Sequence, residues 1–225
     1  MQEKQFERDF SLFSKDRGIS SMDLYYANKR LEKNSMTPYI LEERPMNVTQ
    51  LDVFSRLMRD RIIWAAGEVN SNMSVITQAQ LMFLDSIDND DITLHLDGPG
   101  GSITAGLSMI DVMDYVKSDI RTVNTGMCAS MMAVLLGAGT KGKRSSLRFS
   151  RTMIHQSSGG ASGTFADAQI TFQEWGKTND QIFNLLGEYC DKTPDVIKVD
   201  ANRDMWLSST ETLEYGLIDK IITKK

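Results

Sequence analysis

From residue 55 onward the chain alternates between short strand-like runs and longer apolar-periodic runs, and this alternation admits few folds. RIIWAAGEV (61–69), DITLHLDG (91–98), IRTVNTG (120–126), RTMIHQ (151–156) and LIDKII (217–222) read as strands. MSVITQAQLMFLDSI (73–87) has apolar residues at 75, 76, 79, 83 and 87, a helical spacing. ITAGLSMIDVMDYVKS (103–118), SMMAVLLGAG (130–139), a long stretch at 161–189 and SSTETLEYG (208–216) also predict helix. Strand–helix–strand units of this length need crossover connections, which are right-handed in nearly all folds and give a parallel sheet covered by helices. One α/β domain is expected. Residues 157–190 are too long for a simple crossover and predict an arm projecting from the core.

Composition excludes several classes. The 225 residues are 41% hydrophobic, enough for one sizeable core. Net charge is −5 with both signs interspersed, so no basic stripe points to nucleic acid. Cys128 and Cys190 lie far apart and form no C-x-x-C pair, giving neither zinc spacing nor a disulfide framework, and both fit a reducing cytosol. The start, MQEKQFERDF, lacks the apolar segment of a secretory signal. No apolar run approaches the ~18 residues of a membrane span. A cytoplasmic location, with no membrane partner, is the expectation. Residues 1–36 are polar and read as an N-terminal extension, solvated, processed or partner-binding. Within them Ser20 and Asp23 offer a cap for a short helix over DLYYANKRL.

Candidate chemistry centres on NTGMCASMMAVLLG (124–137), where Ser130 stands between a small-residue turn and an apolar helix. A side chain at such a junction projects beside helix-start N–H groups, a geometry suited to a nucleophile next to an anion-stabilising pocket. A serine there is equally a helix N-cap. His155, one of two histidines, ends the strand TMIHQ beside SSGGASG. Strand ends in open α/β sheets gather sites, although a lone histidine is more often structural. His95 alternates with apolar residues and reads as a surface or interface residue. Asp204, in VDANRDMWLSS between two helical segments, is by itself an ordinary loop aspartate. It gains meaning as a third member that holds an imidazole tautomer.

Gly98-Pro99-Gly100-Gly101-Ser102 joins a strand to a helix. It lacks both the P-loop lysine and the dinucleotide glycine spacing, so its backbone suits an oxyanion better than a phosphate. Cys128 has no adjacent base and reads as a small buried residue. The order Ser, His, Asp differs from the trypsin, subtilisin and α/β-hydrolase orders, and no G-x-S-x-G elbow is present.

Four motifs taken together, PGGSITAG, GMCASMMAVLL, MIHQ and NRDMWLSSTETLEYGLID, resemble the ClpP family, the proteolytic subunits of the ATP-dependent caseinolytic (Clp) protease. The resemblance continues upstream through FSRLMRDRIIWAAGEV and covers residues 37–223. It implies a crotonase-like α/β fold of repeated β-β-α units over residues 37–225, with 157–190 as a projecting handle. It implies Ser130 as nucleophile, His155 as general base and Asp204 as orienting acid, with Gly101 and Met131 N–H groups as the oxyanion hole. Gly159 and Gly160 would belong to a glycine-rich edge that pairs with an extended peptide. Two stacked heptameric rings are implied, with Arg203 at the ring contact. An AAA+ unfoldase partner would use ATP and deliver unfolded polypeptide. The chain itself would need no cofactor and no metal.

Departures from the family pattern accompany this resemblance. Ser157 and Ser158 follow the His-Gln pair where proline is usual, and Asp97-Gly98 replaces Asn-Ser before PGG. Met132 replaces a small residue and is expected to crowd the nucleophile. Thr93 and His95 stand where aromatics commonly line the unfoldase-docking pocket, and Tyr115 keeps an aromatic at a neighbouring position. Loss of two aromatic anchors predicts weakened docking and, with it, a mixed assembly with a paralogous subunit. Two other readings stay open: a crotonase-type acyl-CoA enzyme, and a weakly active or non-catalytic ring subunit that needs a partner.

Overall fold

The structure is a computed structural model that describes residues 39–44 and 47–223, with side chains from residue 52. The helix expected over DLYYANKRL and the rest of the extension lie outside the described residues. The chain divides into two units, residues 1–56 and 57–225. In the first, β1 (Tyr39–Arg44) and β2 (Asn47–Asp52) form an antiparallel hairpin. Asp52 accepts the N–H groups of Phe54 and Ser55, which caps the start of α1 (Val53–Arg59).

The second unit is built around a seven-stranded sheet. Strands β3 (Ile62–Val69), β4 (Ile92–Gly101), β5 (Ile120–Ala129), β6 (Ser145–Leu147) and β9 (Lys220–Ile222) lie side by side and parallel. This is the layout that the crossover argument requires. The helices are α2 (Ser71–Ile87), α3 (Ile103–Tyr115), α4 (Met131–Gly137), α5 (Phe165–Cys190), α6 (Pro194–Asp200) and α7 (Ser209–Tyr215). All seven residues of α4 are buried, so this helix is the centre of the core.

β5 serves two partners. Its first half pairs with β6, and Met127, Cys128 and Ala129 pair with Arg151, Thr152 and Met153 of β7 (Arg151–Ile154). The switch occurs at a bulge, where β4 advances from Leu96 to Gly98 while β5 advances from Asn124 to Cys128. Asp97 fills the gap: its Oδ1 accepts the Met127 N–H at 2.9 Å. Asp97 therefore has a backbone role at this bulge.

Three sequence expectations are corrected. Met205–Ser208, which the sequence puts between two helical segments and at the first residue of the second, is a strand, β8, antiparallel to β7. Pro99–Gly101, read as a loop, continues β4, and Ser102 then caps α3 through the Ala105 N–H. In α2 the spacing does mark a helix, but the stripe it predicts faces outward. Ser74, Thr77, Leu81 and Leu84 are buried, whereas Val75, Ile76, Phe83 and Ile87 are exposed. The predicted arm is also uneven. No residue of α5 before Ile182 is buried, and Ile182, Phe183, Leu186 and Cys190 anchor its last turns in the core.

Candidate active site

Ser130 follows the last residue of β5 and precedes the first of α4. Its φ of 54° and ψ of −125° place a non-glycine residue in a sparsely populated region, a strain of order 1–3 kcal/mol. The surroundings fix it. Its N–H donates to Met153 O at 2.9 Å, and its carbonyl accepts the Ala133 N–H at 2.9 Å. Its side chain makes no capping bond. Instead Oγ lies 2.9 Å from His155 Nε2.

His155 stands one residue beyond β7 and is half-buried. Its Nδ1 lies 3.1 Å from Asp204 Oδ1. The β7–β8 register pairs Ile154 with Met205, so the next residues out on each strand, His155 and Asp204, face each other. Gln156 reinforces this alignment. Its N–H donates to Ala201 O at 2.6 Å and its Nε2 to Asn202 O at 2.9 Å. The Asp204 side chain remains 62% exposed.

The β4 tip closes on the same point. A Cβ at Gly100 would lie 2.7 Å from Ser130 Cβ and 2.8 Å from the Met131 nitrogen, and Gly100 has φ +93°. Only glycine permits this approach. Gly101 follows, in register with Val69, and the Met131 N–H is the first of α4, a position without an intrahelical acceptor. An apolar pocket lined by Ile103, Val134, Ile154, Ile182 and Leu186 opens beside Ser130 and His155.

The other predicted residues fall elsewhere. Gly159 and Gly160 lie in an exposed stretch without regular structure, with Gly159 over the Trp175 ring. Arg203 is exposed beside Asp204 and donates to Asn202 O at 2.9 Å. Thr93 and His95 are half-buried on β4, away from Ser130, and Tyr115 is 77% exposed at the end of α3. His95 is stacked against Trp64 of β3, with ring centroids 4.7 Å apart. Burial holds its pKa below the ordinary histidine value. Trp64 was not singled out by the sequence reading; its position on the neighbouring strand in register with His95 is the signal.

One expectation about a neighbour of Ser130 changes. Met132 does not crowd Ser130: it is fully buried, and its Cε lies 2.9 Å from where a Gly98 Cβ would be. A Cβ at Gly98 would also lie 2.1 Å from the Gly67 carbonyl oxygen, so the β3 backbone and the end of Met132 together close the space beside Gly98. Cys128 is buried as expected, and burial, with Asp97 nearby, pushes its thiol well above the ordinary value. Among the described residues no cluster of three or more His, Cys, Asp or Glu side chains is placed to hold a metal ion, and no helix is long and apolar enough to cross a membrane.

A hydroxyl, an imidazole and a carboxylate in one hydrogen-bonded line, on a mostly parallel α/β sheet, define the arrangement of a serine hydrolase. Residues 45–225 match the Clp protease family. The chain is 45% identical over 214 residues to the ATP-dependent Clp protease proteolytic subunit of Bacteroides fragilis, covering 89% of this chain and 97% of that protein. It is also 45% identical to the corresponding subunit of Bacteroides thetaiotaomicron, with the same coverage, and 44% identical over 196 residues to that of Porphyromonas gingivalis, covering 87% and 88%. The chain belongs to the Clp protease family and is a serine-type peptidase, a hydrolase. Membership removes the acyl-CoA reading.

Proposed function

We propose that Ser130, His155 and Asp204 carry the reaction, and that this chain is the endopeptidase subunit of a self-compartmentalising, ATP-dependent protease. The observation that supports it is the continuous line from Ser130 Oγ through both ring nitrogens of His155 to Asp204 Oδ1. His155 Nε2 takes the Ser130 proton as Oγ attacks the scissile carbonyl. Asp204 keeps Nδ1 protonated and stabilises the imidazolium. The tetrahedral oxyanion is met by the N–H groups of Gly101 and Met131, each worth on the order of 3 kcal/mol. His155 then protonates the leaving amine, and water repeats the sequence on the acyl-enzyme. The backbone of Gly159 and Gly160 pairs with an extended peptide, reading main chain rather than side chains. No cofactor or metal enters these steps.

Self-assembly belongs to the same proposal. The exposed stripe Val75, Ile76, Met82, Phe83 and Ile87 on α2 is an apolar face that a second copy of the chain would cover. We assign two stacked heptameric rings, with Arg203 at the ring contact. An AAA+ unfoldase would use ATP and feed unfolded polypeptide to the chamber, and the setting would be the cytoplasm. Thr93, His95 and Tyr115 form the docking face, with Trp64 supplying one aromatic. Its weakening favours mixed rings with a paralogous subunit. Tight unfoldase binding by the homomeric protein would overturn that part.

A weakly active ring subunit that needs a paralogous partner is the second reading. The solvent exposure of Asp204 favours it, because water screens an exposed imidazole–carboxylate contact. The deciding experiment is fluorophosphonate labelling of the purified protein, with the adduct mapped by mass spectrometry. An adduct on Ser130 that does not form in His155→Ala supports the peptidase. No adduct in the parent protein supports the partner-dependent subunit.

A further inference from the structure

Ser157 departs from the family proline, and the structure gives its extra hydrogen-bonding groups a use. Its N–H donates to Asn179 Oδ1 at 3.1 Å, and its hydroxyl donates to the same oxygen at 3.0 Å. The hydroxyl also accepts the indole N–H of Trp175. Proline could make none of these bonds, having neither an N–H nor a hydroxyl. Asn179 and Trp175 both lie on α5, one turn apart, on the part of the helix that buries nothing in the core. The Trp175 ring also underlies Gly159, whose Cβ would be 3.3 Å from it, and stacks on Phe172 at 6.0 Å.

These contacts converge on the start of one segment. His155 is held on one side by Ser130 and Asp204. Gln156 is tied to the 201–202 backbone. Ser157 is tied to α5, and the glycine-rich stretch begins two residues later. Ser158, Gly159 and Gly160 are exposed, so the hydrogen bonds of Ser157 to α5 are what tie residues 157–160 to the rest of the protein. Both hydroxyl functions of Ser157 are committed within the protein, so this side chain has no donor left for a substrate even though it borders the apolar pocket.

We propose that Asn179 and Trp175 are positioning residues that act through Ser157, fixing the backbone of residues 157–160 in the register needed to pair with an extended peptide. This rests on the peptidase reading above and deepens it. The latch acts on peptide binding, whereas the reactivity of Ser130 depends on His155 and Asp204. The two functions can therefore be separated by probe size.

The test compares the parent with Asn179→Leu, Asn179→Asp and Trp175→Phe in the full chain. Each is assayed by fluorophosphonate labelling of Ser130 and by hydrolysis of an extended fluorogenic peptide. Asn179→Leu removes the acceptor at similar size; the expected result is unchanged labelling and a KM for the peptide raised about tenfold, the factor for one net hydrogen bond. Asn179→Asp keeps the acceptor and is expected to restore the parent KM. Trp175→Phe keeps the ring under Gly159 but loses the N–H, and should raise KM by a smaller factor. A parent-like KM in Asn179→Leu, or loss of labelling and hydrolysis in parallel, overturns the latch. Failure of the parent itself to label overturns the peptidase reading instead. If Asn179→Leu does not fold, Trp175→Phe decides alone: a parent-like KM there overturns the proposal.

Discussion

Ser130 occupies the N-cap position of α4, yet its hydroxyl faces His155 Nε2 at 2.9 Å and leaves the helix amides uncapped. An N-cap serine would bond the second or third helical N–H and contribute about 1 kcal/mol to stability. The two roles compete for one oxygen, and here the imidazole has it.

Ser130→Ala should therefore abolish peptide hydrolysis without the stability loss of a removed cap. Ser130→Gly should go further and stabilise the fold by about 1 kcal/mol, because glycine adopts a φ of 54° freely. Thermal unfolding of the three proteins checks both. A Ser130→Ala variant less stable than the parent by a full cap would mean that the hydroxyl caps the helix in solution.

Gly100→Ala should be far more damaging than its size implies. The added methyl would meet Ala129 O at 2.6 Å and the Met131 nitrogen at 2.8 Å, both backbone atoms that cannot swing away. The β4 tip must withdraw from Ser130, taking the Gly101 N–H with it. The expected loss in kcat is about 100-fold or more, the scale of one missing oxyanion donor. KM should change little, since the apolar pocket is lined by other elements. Steady-state kinetics on a short fluorogenic peptide separates the two constants.

Met132→Ala tests the contact with Gly98. Removing a fully buried methionine side chain should cost about 2–5 kcal/mol. The rate per folded active site should hold, because the side chain points toward Gly98 rather than Ser130. Restoring a serine at position 98 in that background should not recover the loss, since its Cβ would still lie 2.1 Å from the Gly67 carbonyl oxygen. Denaturant melts with active-site titration give the answer. A rate increase in Met132→Ala would mean that this methionine does hinder the nucleophile.

How much of this was readable in the chain follows from the range of each signal. The parallel strands and their helices were legible, because periodicity and glycine punctuation are local. Ser130 stood out because it opens an apolar helix after a small-residue turn, and His155 because it ends a recognisable strand. Asp204 did not stand out by itself, and the reason is β8. Four residues, Met205–Ser208, are too short to show alternation, yet their antiparallel register with β7 is what sets Asp204 opposite His155. The outward stripe of α2 shows the limit of periodicity: spacing identifies a helix but not which face the rest of the chain covers. The Gly98–Met132 contact and the Ser157 contacts are tertiary, joining positions 34, 22 and 18 residues apart, and no local window along the sequence shows them.

The Arg144–Asp219 pair should contribute stability at neutral pH that is lost in acid. Arg144 donates from Nε and Nη2 to the two Asp219 oxygens at 3.0 and 2.7 Å, and its side chain is 4% exposed. Burial raises the Asp219 pKa, but hydrogen bonds from Arg144 and Gly142 outweigh it and hold the carboxyl below the ordinary value. The stabilisation is thus present above the unfolded value and is lost as pH falls through the lower folded one. Asp219→Ala should cost about 3–5 kcal/mol at neutral pH, because it strands a buried guanidinium. The difference from the parent should shrink in strong acid. A pH-independent difference would show that the loss is packing alone.

His95 makes a prediction in the opposite chemical sense. Its Nδ1 is buried without a hydrogen-bond partner, its ring lies against Trp64, and burial lowers its pKa. Charging this ring in the folded chain is harder than in the unfolded one. Between the folded value and the higher unfolded value, the unfolded state binds more protons, so stability rises with pH across that window. It is full above the ordinary histidine range and declines as pH drops through the folded value. His95→Phe keeps an aromatic ring beside Trp64 and removes both the titration and the orphaned nitrogen. It should therefore be more stable than the parent, and the margin should widen as pH falls from 7.5 to 5. Urea midpoints at several pH values measure it. A constant margin would mean that the His95 ring reaches water when it is protonated.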